Sequence, residues 1–433
     1  MLVREMKDSG VEWIGKIPSD WVLYKIKNLG RYINGFPFKP EDWGTKGKPI
    51  IRIQDLTGSS KEPNFFDGTI DEKYLVTNGD VLVSWAATLD AFIWEKDEGW
   101  LNQHIFKALP NTSIVEKIYF IWLLKTAMKY MNDDNKHGIV MQHVTLPVFN
   151  NFIVPLPTIS EQREIAGRLD AVCGKVDALV RNQEAQVERL KAYKQSLITE
   201  TVTKGLDPTV PMKDSGVEWI GQIPLGWEVS SVRYIGFLQN GISKSGDSFG
   251  SGYPFVSYGD VYRNYELPAN VTGLIETNEN ERKNYSVKYG DIFFTRTSET
   301  IEEVGFSCVC KQTIQNATFA GFVIRLRPYK ADEKIITNYA KYYFRGSHIR
   351  TYLVKEMNLV TRASLGQTLL KGMAVIIPPK NTQHQIAAYL DKKCSQIDAL
   401  IDIKQRKIEK LTAYKKSLIY EYVTGKRAIC SGQ

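Results

Sequence analysis

Ile165-Ala-Gly-Arg-Leu-Asp-Ala-Val-Cys-Gly-Lys-Val-Asp-Ala-Leu179 returns later in the chain as Ile386-Ala-Ala-Tyr-Leu-Asp-Lys-Lys-Cys-Ser-Gln-Ile-Asp-Ala-Leu400. Around the first copy, Ile165, Leu169, Val172, Val176, Leu179, Gln183, Gln186, Leu190, Tyr193 and Leu197 alternate at steps of four and three, the a/d seam of a coiled coil. Ile386, Leu390, Lys393, Ile397, Leu400, Lys404, Lys407, Leu411, Tyr414 and Leu418 repeat the pattern. Both seams turn polar in the middle, which weakens a seam but fixes its register and partner. Outside the seam, Glu188, Ala192, Ser196 and Glu200 also reappear, as Glu409, Ala413, Ser417 and Glu421. Helix propensity does not demand identical outward residues, so the stretch is a duplication.

A second repeat lies upstream of each helix. Met6 to Trp21 returns as Met212 to Trp227, with thirteen of sixteen positions identical. Its Gly and Pro positions make it a turn-rich opener, and its Trp residues are packing anchors. The plan is therefore an opener (1–21), a globular block (22–159), a helix (160–204), a linker with the second opener (205–227), a second block (228–380), a second helix (381–425) and a tail (426–433). Ser160 and Asn381 or Thr382 are the expected N-caps, and Gly205 and Gly425 the expected C-terminal stops. Landmarks pair across the blocks: Asn34-Gly35 with Asn240-Gly241, Gly47 and Asp55 with Gly252 and Asp260, Gly79-Asp80 with Gly290-Asp291. Each Gly-Asp precedes an apolar run and reads as a turn feeding a buried strand. Residues 116–132 and 333–356 carry helical spacing, so each block is a mixed α/β (α+β) domain.

The 433 residues carry a net charge of +8, which permits nucleic-acid binding without proving it. No apolar run is long enough to cross a bilayer, no charged-then-apolar leader opens the sequence, and five scattered cysteines do not make a disulfide framework. The expected location is the cytoplasm. Cys308-Val-Cys310 is the one close cysteine pair and lacks companion ligands, so no metal site is expected. Neither a phosphate-cradling Gly-rich loop nor a His-Glu-x-x-His helix is present, and catalysis by this chain is not expected.

Binding explains more. Two related blocks alternate with two matched helices, an internal pseudo-dimer whose helices pair as an antiparallel coiled coil about a pseudo-two-fold axis. Each helix of about 40 residues would measure roughly 60 Å. Two diverged blocks on such a rod would meet a duplex at two unlike half-sites with an unread spacer.

The Gly-Val-Glu-Trp-Ile-Gly-x-Ile-Pro opener, the Gly-Asp-hydrophobic strand, the Pro-Leu-Pro…Glu-Gln…Ile-Ala…Leu-Asp helix start and the Leu-x-x-Tyr-Lys-x-Ser-Leu-Ile helix end together resemble the specificity subunit of type I restriction–modification systems. The second helix start departs from the pattern: it reads Ile377-Pro-Pro with Gln383-His-Gln385, where the first has Glu161-Gln-Arg163. The resemblance implies two target-recognition domains, each reading one half of an asymmetric bipartite DNA site. It also implies helices that space the domains and dock two modification (methyltransferase) subunits. Those partners would bind S-adenosylmethionine and methylate adenine, and a restriction subunit would use ATP and Mg; this chain would need no cofactor. The competing readings are a self-contained methyltransferase or nuclease, which lacks its motifs, and a coiled-coil adaptor, for which the blocks are superfluous.

Base readout calls for polar loop side chains, and equivalent positions that differ between halves are the candidates. In the first block these are Lys39, Arg52, Gln54, Ser84, Trp85, Gln103, His104, Gln142 and His143. In the second they are Ser243, Lys244, Ser257, Tyr258, Arg296, Thr297, Ser298, Thr361 and Arg362. For partner docking the recurring Tyr193, Lys194 and Leu197 with Tyr414, Lys415 and Leu418 stand out, along with Trp13 and Trp219 of the openers.

Overall fold

The computed structural model describes residues 4–60, 62–134, 144–298, 304–357 and 363–428. The chain divides into two compact units, one of Met1–Gln183 with Arg406–Gln433 and the other of Glu184–Gln405. The division falls within both long helices, Ile159–Lys204 and Lys380–Val423. Each unit thus holds one block, the first part of that block's own helix and the last part of the other.

In the first unit an antiparallel sheet runs in the order Gly30–Asn34, Ile105–Pro110, Val81–Ser84, Asp90–Ile93. The second unit repeats it as Gly236–Asn240, Val323–Pro328, Ile292–Thr295, Ser307–Val309. A parallel pair accompanies each sheet: Lys48–Ile51 with Gly99–Leu101, and Phe249–Val256 with Thr318–Phe319. The landmark residues hold this frame. A Cβ on Gly35 would lie 2.0 Å from the Asn102 carbonyl oxygen, and one on Gly241 2.2 Å from that of Ala320, so the crossing chains meet only at glycine. Asp80 accepts from the Thr77 N–H and pairs with Lys107 at 2.7 Å; Asp291 accepts from the Lys288 N–H and pairs with Arg327 at 2.6 Å. Asp55 and Asp260 close the first turn of their short helices by accepting from the backbone of Arg52 and Ser257.

Strand Ile153–Leu156 pairs with Val22–Lys25, and Ala374–Ile377 with Glu228–Ser231, so each block is clasped between its opener and its helix. Residues 116–132 form one helix, Lys117–Asp134, but the helical spacing of 333–356 resolves into Thr337–Tyr343 and Ser347–Glu356. The break falls at Gly346, where a Cβ would sit 2.4 Å from the His348 ring.

The long helices start earlier than Ser160 and Asn381: the first turn's backbone bonds run from Gln162 to Thr158 and from Gln383 to Pro379. They end at Gly205 and Gly425 with φ of +83° and +71°, a left-handed conformation that favours glycine. Gly205 abuts the Trp227 ring and Gly425 abuts Pro18 and Trp21, so each opener receives a helix end. Tyr420 Oη donates to the Trp13 carbonyl at 2.9 Å, and Tyr339 Oη to that of Val202 at 3.1 Å.

One set of seam positions lies one residue further along than the spacing suggests. Cys173 and Val187 are buried beside Val176 and Gln183, and Cys394 is buried beside Ile397 in the second helix. Leu179, Tyr193, Leu400 and Tyr414 are 45–57% exposed. Both registers offer apolar residues (Leu179 or Val180, Val172 or Cys173), so spacing does not separate them; packing against the blocks does. The shift places Lys194 and Lys415 in the seam. In the second unit Lys194 Nζ reaches Asp398 at 2.6 Å and Lys404 Nζ reaches Gln186, a descending order on one helix against an ascending one on the other. The helices there are antiparallel. In the first unit Lys415 Nζ reaches Asp177 at 2.7 Å.

Candidate nucleic-acid interface

At one end of each central sheet three segments converge. In the first unit the Trp85 N–H donates to the His104 carbonyl at 3.3 Å, and the Val144 N–H donates to the Trp85 carbonyl at 3.0 Å. In the second unit Arg296 N–H donates to the Phe322 carbonyl at 2.9 Å, and Leu365 N–H to the Arg296 carbonyl at 2.7 Å. The asparagine before the glycine crossing closes each site: Asn34 Oδ1 accepts from Trp85 Nε1 at 3.3 Å, Asn240 Oδ1 from Gln367 Nε2 at 3.0 Å. The backbone framework is thus the same and the side chains differ, Trp85 and His104 against Arg296 and Phe322. Trp85 lies 5.8 Å from Phe106 and 5.5 Å from His104, centroid to centroid. Gln103 is half-buried and His104 exposed beside it. Ser243, exposed, sits against Gly321, where a Cβ would come within 2.1 Å of its Oγ. Thr297-Ser298 pairs as a short strand with Ala363-Ser364.

The other candidates divide. Lys39 is exposed and only loosely paired with Glu41 at 3.7 Å, as suits a phosphate contact. Gln54 is exposed on the short helix Ile53–Thr57. Arg52 Nη2 donates to the Glu62 carbonyl at 3.3 Å, with the guanidinium 5.9 Å from the Trp43 ring centroid. Tyr258 stacks on Tyr262 at 5.9 Å. Gln142, His143, Thr361 and Arg362 lie outside the described residues.

Several expectations are corrected. Ser84 is 0% exposed, and its hydroxyl donates to the Ala86 carbonyl, so it belongs to the core strand and not to a groove-facing surface. Lys244 Nζ is held by the Glu281 carboxylate at 2.8 Å and the Glu276 carbonyl at 2.7 Å; its charge is spent within the unit, and it holds the Glu281 carboxyl below its usual range. Ser257 is a helix cap whose hydroxyl donates to Asp260 at 2.7 Å. Leu418, at 2% exposure, is core and offers a partner nothing. Trp13 donates from Nε1 to the Ile153 carbonyl at 3.1 Å and stacks on Phe152, while Trp219 stacks on His348 and lies tilted against Tyr352. The opener indoles therefore lock onto their own blocks. Leu197 is half-buried against the second unit's core, and Lys194 and Lys415 are engaged by Asp398 and Asp177. Tyr193 and Tyr414, with Leu179, Leu400 and the 56%-exposed Ile403, remain as outward apolar positions on the helices.

Cys308 and Cys310 lie in or beside a core strand, and burial raises both thiols, Cys310 to about 12. Among the described residues no three His, Cys, Asp or Glu side chains cluster as a metal site would require, and no helix is long and apolar enough to cross a membrane. Phe322, 63% exposed, escapes sequence reasoning because Gly321-Phe322 reads as the approach to an apolar strand. Only the sheet pairing reveals that it stands where His104 stands.

A family model described as the type I restriction modification DNA specificity domain matches residues 18–189 and, a second time, 224–413. The EcoBI specificity subunit of Escherichia coli is 24% identical over 411 residues, covering 92% of this chain and 84% of that protein. The MjaVIII specificity subunit of Methanocaldococcus jannaschii is 23% identical over 414 residues, covering 95% and 94%. A solved chain, described under the complex assembly and conformational transition of the type I R-M system, superposes with a TM-score of 0.70 at 15% identity. It covers 95% of this chain and 99% of its own, and it shares the fold.

Proposed function

The chain belongs to the family of type I restriction–modification DNA specificity subunits, and from that premise we propose how its parts divide the work of recognition. It is a recognition subunit and not a catalyst. Each block reads one half of an asymmetric bipartite site through the sheet-end cluster, Asn34, Trp85 and His104 in one and Asn240, Arg296 and Phe322 in the other. The observation that carries this reading is the pair of matching backbone frameworks filled with unlike side chains. Two different half-sites call for unlike side chains on a common framework, and these two sites supply them.

Arg296 suits guanine, whose O6 and N7 accept a bidentate guanidinium. Exposed cations such as Lys39 position the duplex by its phosphates. The paired helices set the spacing between half-sites, and their outward Leu179, Tyr193, Leu400 and Tyr414 supply apolar area for two methyltransferase subunits. S-adenosylmethionine then belongs to those subunits, ATP and Mg to a restriction subunit, and the place of action is the cytoplasm, where the DNA is.

The test is methylation-sensitive long-read sequencing of DNA from cells carrying the modification partner, with and without this chain. An asymmetric bipartite methyl-adenine motif appearing only with the chain supports the reading. No motif, with both proteins expressed and the partner competent, overturns it.

A further inference from the structure

Phe322 is exposed for no reason of packing. Its neighbours in the same segment are core: Phe319 is 0% exposed, Ala320 7% and Val323 0%, while Phe322 itself is 63% exposed. Gly321, on its other side, lies against the Ser243 hydroxyl and leaves the tip no side chain of its own there. The tip is nonetheless firmly placed. The Ile242 N–H bonds to the Phe319 carbonyl at 2.9 Å, the Gly241 N–H to that of Val323 at 3.1 Å, and the Arg296 N–H to that of Phe322. The first unit repeats each bond: Phe36 to Leu101 at 2.8 Å, Gly35 to Ile105 at 3.1 Å, and Trp85 to His104. His104 and Phe322 are therefore the same position in two domains, each on a rigidly held tip beside the residue that fills the middle of the site.

An outward apolar ring on a fixed backbone tip, beside an arginine in the sheet-end cluster, has a ready use in a major groove. The thymine 5-methyl is the apolar group displayed there, and a side chain without donors or acceptors distinguishes T·A from the other pairs by contact with it. Resting on the recognition reading above, we propose that Phe322 is a specificity-determining residue of the second half-site and reads a T·A pair through the thymine methyl. His104 is its counterpart in the first unit.

The test measures DNA affinity of the complex assembled from the full chain and its methyltransferase partner. Duplexes carry uracil, which lacks the methyl, in place of each thymine of the second half-site in turn. Burying one methyl corresponds to a change of about threefold to fourfold in affinity, and a fuller ring contact to about tenfold. The wild-type complex is expected to lose that much at one thymine position, and the Phe322→Ala complex is expected to be indifferent to the same replacement. Phe322→Leu, which keeps an apolar contact, is expected to retain part of the preference. Discrimination in the first half-site is the internal control for folding and assembly, and stays unchanged in both variants. Identical uracil profiles for wild type and Phe322→Ala, or a second half-site without a methyl-sensitive thymine, overturn the assignment. A wild-type complex that does not tell its site from random duplex overturns instead the recognition reading on which it rests.

Discussion

Gln383 makes in the second half the three hydrogen bonds that Gln162 makes in the first. Gln162 Oε1 accepts from the Glu116 N–H at 2.7 Å, and its Nε2 donates to the carbonyls of Ile114 at 3.0 Å and Pro157 at 2.9 Å. Gln383 Oε1 accepts from the Ile336 N–H at 2.8 Å, and its Nε2 donates to Lys334 at 2.9 Å and Pro378 at 2.8 Å. Both side chains are fully buried. Each ties the first turn of a long helix to the loop that precedes its block's last helices, with an amide's donors and acceptor all used.

Replacing Gln383 with leucine keeps the volume and strands one N–H and two carbonyls. We expect a loss of about 2–4 kcal/mol, since each buried backbone group left unpaired costs about 1–3 kcal/mol and some of them reach water on relaxation. Urea unfolding of the purified chain measures it; a loss below about 1 kcal/mol would mean these bonds do not hold the helix to its block.

These glutamines illustrate what the sequence displays. Gln162, Gln383, Asp80, Asp291, Gly35 and Gly241 stand at matching places because backbone geometry admits few substitutes there, so the duplicated frame is legible. The seam's phase is not, because Leu179 and Val180 are equally apolar and only the blocks decide which faces inward. The reading residues are less legible still. Trp85 and Arg296 could be paired through the Gly-Asp strand that leads to them, whereas Phe322 and His104 share no sequence signal and become equivalent only through long-range hydrogen bonds. Ser84 and Lys244 show the converse: polar residues near a loop, consumed by an internal carbonyl and an internal carboxylate.

Lys194 and Asp398 form a half-exposed pair, so their coupling is modest. Lys194→Glu is expected to destabilise the chain by about 1 kcal/mol, and Asp398→Lys added to it to restore most of that. A double-mutant cycle by thermal denaturation gives the coupling; additive effects would show that the pair does not link the helices.

His348 is buried with neither ring nitrogen hydrogen-bonded, and burial lowers its pKa to about 3 from 6.5. Between those values the unfolded chain holds the extra proton, so this contribution is complete above pH 6.5 and is lost as pH falls toward 3. At pH 5 the loss amounts to ~2 kcal/mol. Stability measured from pH 7 to pH 5 should fall less steeply in His348→Phe than in wild type; parallel curves would rule out a neutral buried imidazole.

Tyr193 and Tyr414 are expected to matter to the partner and not to the fold. Changing both to alanine should leave the melting temperature within a degree or two, as exposed substitutions do, while weakening co-purification of the methyltransferase subunit at least tenfold. Unaltered complex yield and affinity would move the docking surface elsewhere.

Deleting one heptad from each long helix should bring the half-sites closer by about three base pairs, since seven residues rise roughly 10 Å. The methylome of cells carrying that variant reads the spacer directly. An unchanged spacer in an active variant would end the idea that the helices act as a ruler.

Each compact unit is finished by a segment encoded beside the other block: Leu418, Tyr422 and Val423 enter the first core, and Ile198 and Val202 the second. Because those segments are copies of one another, either block of this chain would meet at the other's place a helix end much like the one it already fits. Inheritance can then work by crossover within the repeats, exchanging a whole reading head at once. New specificities need not then pass through intermediates that read half a site badly, because a crossover within the repeats that complete each core leaves every block whole.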